Sequence, residues 1–327
     1  MAKLMVIGGS GFFGKSILDA FHRGLLIPWG IDSISVVSRN ASNLRVTHPY
    51  LLSNSIELIN EDISTCQELP YADFIIHAAA STDATNYLLK PLEERKNIQA
   101  AVLNYCSLAT KYHQNSKIVY CSSGAIYGQQ SHLISRLSED SGFGSIDDMP
   151  LVKRDYASSK RDAEIAIQKL GLTGLNVSIA RCFAFVGPHL RRDQHFAIGN
   201  FIEEGLNRRP IQVNATHSVV RSYMYADDLV VWLMNLATHA NTKCPIINVG
   251  SDEAMDLRSL ALKIANYFDV SVQIPAINNV QIDRYIPSIS KACNDMDLFL
   301  RFDLSASIIL TIHGIQKANY FGNTPAP

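Results

Sequence analysis

Short apolar runs alternate with amphipathic stretches over the first 180 residues. Leu4–Ile7 is an apolar run of β-formers, followed by glycines and then Lys15–His22, where Ile17, Leu18 and Phe21 share one helical face. Ser33–Val37 and Ile56–Ile59 read as further strands. Phe74–His77 is nearly all apolar, as a strand covered on both faces should be. Asn97–His113 carries a helical pattern with Ile98, Val102, Tyr105 and Leu108 or Ala109 facing inward. Lys117–Cys121 is a strand, Tyr156–Leu170 a helix and Asn176–Ala180 a strand. Such alternation predicts an α/β chain: a doubly wound parallel sheet with helices on both faces.

After Pro188 the rhythm breaks. Asp227–Ala237 then reads as a helix, Ile246–Val249 as a strand and Leu257–Phe268 as a helix, and the last 60 residues form a small mixed region. No repeat, low-complexity segment or linker interrupts the chain. The expected division is therefore interleaved. Residues 1–187 with about 226–250 form the main domain, and about 188–225 with 251–327 form a smaller region interleaved with it.

Composition narrows the function. The chain has 327 residues, 47% of them hydrophobic, with 29 Lys and Arg against 30 Asp and Glu, a formal net charge of −1. That excludes a disordered chain and gives no basic excess for nucleic acid. No apolar stretch approaches the roughly 18 residues a membrane span needs. The N-terminus lacks the long apolar region and cleavage site of a signal peptide and runs straight into a strand pattern. Six scattered cysteines, none in C-x-x-C spacing, point to reduced thiols in a cytoplasmic protein and to no metal site.

The chemistry begins at GGSGFFG. Gly8, Gly11 and Gly14 lie between a strand and a helix, in a variant of the G-x-G-x-x-G spacing. Residues without Cβ allow a tight turn and a close approach to pyrophosphate, and the helix N-terminus that opens at Phe12 and Phe13 offers free N–H groups. At the end of the second strand, where an NAD-selecting site places Asp or Glu, stand Ser38 and Arg39. Arg39 is suited to a 2′-phosphate, which favours NADP; the alternative is a solvated charge stacking on adenine. Asp62, beside Ile63, is either an acceptor for the adenine amino group or an exposed loop acid.

Tyr156 and Lys160 are four residues apart and share a helical face. Ser123 follows the strand at 117–121, in CSSGAIYG. A tyrosine of ordinary pKa near 10 is a poor acid or base at neutral pH. A nearby ammonium and an oxidised nicotinamide would stabilise its phenolate, while Ser123 holds the reacting oxygen. Alone, a Y-x-x-x-K pair is an ordinary helix-surface feature. Behind a glycine loop and a serine-bearing strand end it reads as catalytic.

With these residues the chain resembles the extended short-chain dehydrogenase/reductase family, in its nucleotide-sugar epimerase/dehydratase branch. GGSGFFG, FIIHAAA at 74–80, Asn97 opening its helix, Ser123 with Tyr127-Gly128, Tyr156 with Lys160, RCFAFVGP at 181–188, RSYMYADD at 221–228, NVG at 248–250 and SKA at 290–292 match its motifs in order. The resemblance implies a dinucleotide cofactor lying along Ala78, Ala79 and Ala80. It also implies a nucleoside diphosphate sugar bound by Ser81, Ser123, Gly124, Ala125, His195, Asn200 and Arg221, and a homodimer formed through the helices at 97–113 and 156–170. Residues 188–225 carry five Arg against three acids, which suits a pyrophosphate; Arg192 and His195 are equally readable as solvated loop residues. Asp227 and Asp228 read as helix N-caps.

Two departures matter. The family's 4,6-dehydratases carry Asp-Glu directly after the catalytic Ser or Thr, and here Gly124 and Ala125 stand there, which argues against dehydration. The Asn of the family's R-x-F-N is Ala184. The expected activity is NADPH-dependent reduction of a 4-keto-6-deoxy nucleotide sugar in a deoxysugar or polysaccharide pathway. The alternatives are an NAD-dependent 4-epimerase and, from a different class, a catalytically silent NADP-binding protein.

Overall fold

The computed structural model describes all residues except 81–88, 148, 150, 195, 279–281 and 323–327. Its centre is a parallel sheet of seven strands. The chain runs β1 (Ala2–Ile7), α1 (Phe12–His22), β2 (Ile31–Ser38), β3 (Ile56–Asn60), β4 (Phe74–His77), α2 (Pro91–Tyr112), β5 (Lys117–Ser123), α3 (Leu151–Leu172), β6 (Asn176–Cys182), α4 (Ala197–Leu206), β7 (Ser218–Arg221), α5 (Ala226–Thr238), β8 (Ile246–Val249), α6 (Leu257–Phe268), β9 (Ile282–Tyr285) and α7 (Leu304–Gly322). The sheet order is β8-β6-β5-β4-β1-β2-β3. Strand order reverses between β1 and β4, so the crevice above their C-terminal ends is the topological switch point where such sheets bind ligands.

Alternation along each strand explains the two covering layers. Leu4 and Val6 of β1 join Val119 and Cys121 of β5 on one face, under α1 and α5. Met5 and Ile7 join Ile118 and Tyr120 on the other, under α2 and α3. Trp232 and Leu233 of α5 and Tyr105 of α2 are fully buried in these layers. Each such apolar side chain stabilises the fold by roughly 1.5–3 kcal/mol. A third core gathers Ile198 and Phe201 of α4, Leu260 and Ile264 of α6, and Ile308 and Ile312 of α7. Its strands β9, β7 and a two-residue strand at Met255–Asp256 form a small separate sheet.

The structure corrects several expectations. α2 begins at Pro91, so Asn97 lies inside it. Pro supplies the first helical residue, where its missing N–H costs nothing, and Glu93 and Glu94 favour the positive end of the helix dipole. Asp227 and Asp228 do not cap α5, whose N-cap is Tyr225 without a side-chain bond. Asp227 instead pairs with Arg23, the residue that ends α1 as its C-cap (2.8 Å to Nη1). Asp228, fully buried, accepts from Arg301 Nε (2.8 Å) and from the 301 and 302 N–H groups. Asp227 thus ties α5 to the end of α1, and Asp228 ties it to the C-terminal segment. The mixed C-terminal region proves to end in a 19-residue helix, α7.

Candidate active site

The glycine loop is built as β1 leaves the sheet. Gly8 has φ +86°, and a Cβ there would lie 2.7 Å from the Ala79 backbone, so this turn also fixes the contact with the end of β4. At Gly11 the nearest atom to a Cβ would be Gly8 O at 3.4 Å, and φ is an ordinary −83°. Nothing in the protein therefore demands glycine at 11, whereas a closely seated ligand would. Gly11 is the N-cap of α1 and gives it no side-chain cap, which leaves the first-turn N–H groups aimed at the crevice. The Phe12 and Phe13 rings pack on Phe185 (centroids 6.3 and 5.3 Å), so these residues can offer a ligand only their backbone.

Ala78, Ala79 and Ala80, partly exposed beyond β4, form the facing wall. Ser38 Oγ bonds Ser10 Oγ at 2.7 Å. Arg39 is exposed. Partial burial would raise the pKa of Asp62, but hydrogen bonds from the Ser64 Oγ and N–H and the charge of Arg39 hold it below the usual carboxylate value. Ile63 beside it is buried. An uncapped helix end, a Cβ-free approach and an adenine-side cation and acid are a set that fits a dinucleotide.

The reactive set lies where β5 ends. Ser123 is the last residue of β5, opposite Cys182 of β6 in the register, and its Oγ accepts from the Ala125 N–H at 3.2 Å. Tyr156, in the second turn of α3, is half-buried, with its hydroxyl hydrogen-bonded to Ser123. Burial pushes its pKa up to about 12, opposed by that bond. One turn on, Lys160 is buried, its Nζ 5.9 Å from the Tyr156 ring centroid and donating to Cys121 O (2.8 Å) and Tyr120 OH (3.2 Å). Burial lowers it to about 8, against the raising influence of Cys121, Cys182 and Glu164. Ser123, Tyr156 and Lys160 are thus brought together as the spacing predicted.

Glu164, absent from the sequence-based set, continues the same face one turn beyond Lys160. It pairs with Arg181 of β6 (2.9 Å, both side chains buried). Arg181 also reaches the Tyr127 hydroxyl (2.9 Å), which donates to Asn248 Oδ1 at 2.7 Å. The 156/160/164 spacing carried a signal that a third polar residue occupies an inward face. This network locks α3 to β6 and so sets the height of Tyr156 over Ser123.

The expected substrate residues are not one cluster. Gly124 is buried and Ala125 partly exposed, both beside Ser123. Arg221, at the end of β7, is held by Asp283 through O and Oδ2, both at 2.7 Å. Asn200, on α4, donates to Gln194 O, and its Oδ1 is buried without a partner among the described residues. Asn200 lines a cavity of about 280 Å³ with Arg192, Glu203 and Arg209, and Arg221 is not among its walls. Arg192 is not a free loop cation, since it pairs with Glu203 at 2.7 Å. Ser81 and His195 lie outside the described residues.

A doubly wound sheet with a glycine loop at its switch point and a serine, tyrosine and lysine above the neighbouring strand ends defines a dinucleotide-dependent oxidoreductase of the extended short-chain type. The chain matches the model of the NAD dependent epimerase/dehydratase family over residues 4–250 and belongs to that family of enzymes. UDP-glucuronic acid decarboxylase 1 of Arabidopsis thaliana is 27% identical over 295 residues, covering 89% of this chain and 64% of the relative. UDP-glucuronic acid decarboxylase 5 of the same plant is 25% identical over 297 residues, 89% of this chain and 82% of the relative. Among solved structures, a dTDP-glucose 4,6-dehydratase from Streptomyces venezuelae with NAD and TYD bound superposes with TM-score 0.79 at 18% identity over 98% of each chain. A Thermus thermophilus UDP-glucose 4-epimerase in complex with NAD gives 0.76 at 19%, over 96% of this chain and 99% of that one. At such identities these structures establish the fold. Among the described residues no helix is long and apolar enough to cross a membrane.

Proposed function

We propose that this enzyme is an NADPH-preferring reductase of a keto group on a nucleoside diphosphate sugar, at position 4 of a 6-deoxy sugar. One arrangement carries the reading: Ser123, Tyr156 and Lys160 converge on one point, while residues 124 and 125, directly after the serine, bear no acid or base. Neither residue 124 nor residue 125 can take or give the second proton that elimination requires.

When bound, a reduced nicotinamide supplies the hydride for the carbonyl carbon. Tyr156 gives its hydroxyl proton to the carbonyl oxygen, which becomes the product hydroxyl. Ser123 donates to the same oxygen and holds it in line. Lys160, fixed by Cys121 O and Tyr120, places a positive charge beneath the phenol as it becomes phenolate. The loop at Gly8–Gly14 and the α1 N-terminus hold the pyrophosphate, and Arg39 takes the 2′-phosphate that an acidic residue would repel. Residues 1–187 with 226–250 serve the dinucleotide, and 188–225 with 251–327 the sugar nucleotide.

The nucleotide-sugar class is supported by the named substrates of the relatives. A cytoplasmic homodimer through α2 and α3 fits the exposed Leu103 and Ile165 on those helices. The test is incubation with 4-keto-6-deoxy sugar nucleotides, UDP-glucuronate and UDP-hexoses, with NADPH, NADH or neither. Nicotinamide absorbance reports redox and mass spectrometry the products. Consumption of NADPH with a keto sugar is expected. Turnover of a hexose without added cofactor would establish the 4-epimerase instead, and carbon dioxide from UDP-glucuronate a decarboxylase.

A further inference from the structure

Among the described residues, no carboxylate stands within ion-pair distance of the buried Lys160 ammonium. Glu164, one turn further along α3, is paired with Arg181 at 2.9 Å. A single strand receives the ammonium instead. Lys160 Nζ donates to Cys121 O (2.8 Å) and to the hydroxyl oxygen of Tyr120 (3.2 Å), consecutive residues of β5. The same Nζ is 4.8 Å from the centre of the Tyr120 ring, so it sits beside the oxygen rather than over the ring face. Tyr120 is fully buried, with its ring 5.5 Å from that of His77 on β4. Ser123, which meets Tyr156, ends the same strand. One strand therefore receives both polar groups that α3 presents a turn apart.

We propose that Tyr120 is a positioning residue that keeps Lys160 protonated over the working pH range and so sets the alkaline limit of turnover. An ammonium has three N–H donors, and β5 takes two of them. An acceptor for a charged donor stabilises the charged form, so each of these two oxygens holds the Lys160 proton in place. The groups that face Lys160 from the neighbouring elements leave this task to the acceptors. Burial keeps the Tyr156 phenol on α3 and the Cys182 thiol on β6 protonated, and the Cys121 thiol adjoins that of Cys182. Burial together with the Lys160 charge keeps His77 on β4 neutral. The charge of Glu164 is shared with Arg181. Even with both acceptors present, burial lowers Lys160 to about 8. Removing the Tyr120 oxygen would bring its midpoint into the neutral range, where an uncharged amine no longer stabilises a phenolate at Tyr156. Tyr120 thus acts through the lysine.

This inference rests on the reading in which Lys160 supports Tyr156, and the test separates the two. Urea unfolding is followed from neutral to alkaline pH for wild type, Lys160→Met, Tyr120→Phe and the double variant. Wild type minus Lys160→Met isolates the lysine. Tyr120→Phe minus the double variant isolates it without the phenol oxygen. A lysine with a depressed folded pKa begins to add stability as pH rises through that value. One lost hydrogen bond to a charged donor corresponds to a shift of about one pH unit. The onset near pH 8 in the wild type should therefore fall to about 7 in the Tyr120→Phe pair. The alkaline limb of NADPH oxidation with a 4-keto-6-deoxy sugar nucleotide should move down by the same interval. A merely structural Tyr120 would lower stability at every pH and leave both midpoints in place, since Phe keeps the ring against His77 and Lys160. An unmoved unfolding onset overturns the role of Tyr120 and leaves the triad standing. A moved onset with an unmoved limb also overturns the proposal, because another group then sets the alkaline limit. Wild-type turnover by Lys160→Met would overturn the catalytic reading of Lys160 itself. If the wild type turns over none of these substrates, the reductase reading falls, and the unfolding onset alone decides whether Tyr120 holds the proton.

Discussion

Gly8 and Gly11 look alike in the sequence, yet the structure assigns their lack of a side chain to different causes, and alanine separates them. At Gly8 a methyl group meets backbone atoms of Ala78 and Ala79 at 2.7–2.8 Å, and φ is +86°. A non-glycine residue in the left-handed region costs about 1–2 kcal/mol. Forcing a methyl group into packed backbone adds about 1–3 kcal/mol. The sum is about 3 kcal/mol, which for a chain of this size lowers Tm by about 6–12 °C. At Gly11 φ is −83° and the closest contact is 3.4 Å, so alanine costs only the preference for glycine over alanine at an N-cap, under about 1 kcal/mol. If a pyrophosphate lies against this loop, the Gly11 methyl occupies its position and NADPH affinity falls tenfold or more, equivalent to about 1.4 kcal/mol. Circular dichroism melting and titration of NADPH fluorescence measure the two effects separately. A Gly11→Ala protein that melts and binds NADPH like wild type would refute the cradle. A Gly8→Ala protein that melts normally would refute the geometry of the turn.

Arg39→Ala should weaken NADPH about 10–100-fold, the value of one charge-assisted bond, and leave NADH nearly unchanged; equal losses for both cofactors in fluorescence titration would contradict a 2′-phosphate role. Glu164→Gln leaves the Arg181 guanidinium buried without its counter-charge. Stability should fall by about 3 kcal/mol in urea unfolding, and turnover should fall with it because α3 loses its tie to β6. His77 is fully buried between Tyr105 and Tyr120, and burial together with the Lys160 charge lowers it to about 3. Its folded pKa lies below the unfolded value of 6.5, so its stability contribution is complete above pH 6.5 and is lost as pH falls toward 3. His77→Phe should therefore flatten the acid limb of the stability curve; an identical acid limb would show that His77 does not titrate on unfolding.

The sheet was legible because its strands are read by period and composition. Phe74–His77 and Ile246–Val249 match the structure to the residue, and Leu257–Phe268 does as a helix. Helix starts were less legible. In α2 the first turns, Pro91–Lys96, bury no apolar side chain, Leu92 being exposed, so the inward apolar pattern begins only at Ile98. Ser123, Tyr156 and Lys160 were legible because a strand end and one helical turn set their approach locally. The pairing of Arg221 with Asp283 was not, since it joins two strands more than 60 residues apart in the chain. Asp227 and Asp228 misled for a related reason. First-turn acids resemble caps in sequence, and only the tertiary partners Arg23 and Arg301 show what they bind.

The lysine presents the opposite balance to an ordinary structural residue, because its position costs stability. Lys160 is 2% exposed, and burial lowers its pKa from 10.5 to about 8 despite two hydrogen bonds. A base with a depressed folded pKa contributes its full stability above the unfolded pKa and loses it as pH falls through the folded one. The window is therefore pH 10.5 down to about 8, and below it the buried charge carries its whole penalty. Two and a half pH units correspond to about 3 kcal/mol. Lys160→Met removes that titration and keeps an unbranched chain of similar volume. Stability of the wild type relative to the variant should climb by about that amount between pH 8 and 10.5, with the ionisation of other groups cancelling in the difference. Chemical unfolding at several pH values provides the measurement. The variant should also lose at least a hundredfold in turnover at neutral pH, since no other described side chain brings a positive charge beneath Tyr156. A difference curve flat from pH 8 to 10.5 would mean that Lys160 reaches water in the folded protein, and the account of how Tyr156 is made acidic would fail with it.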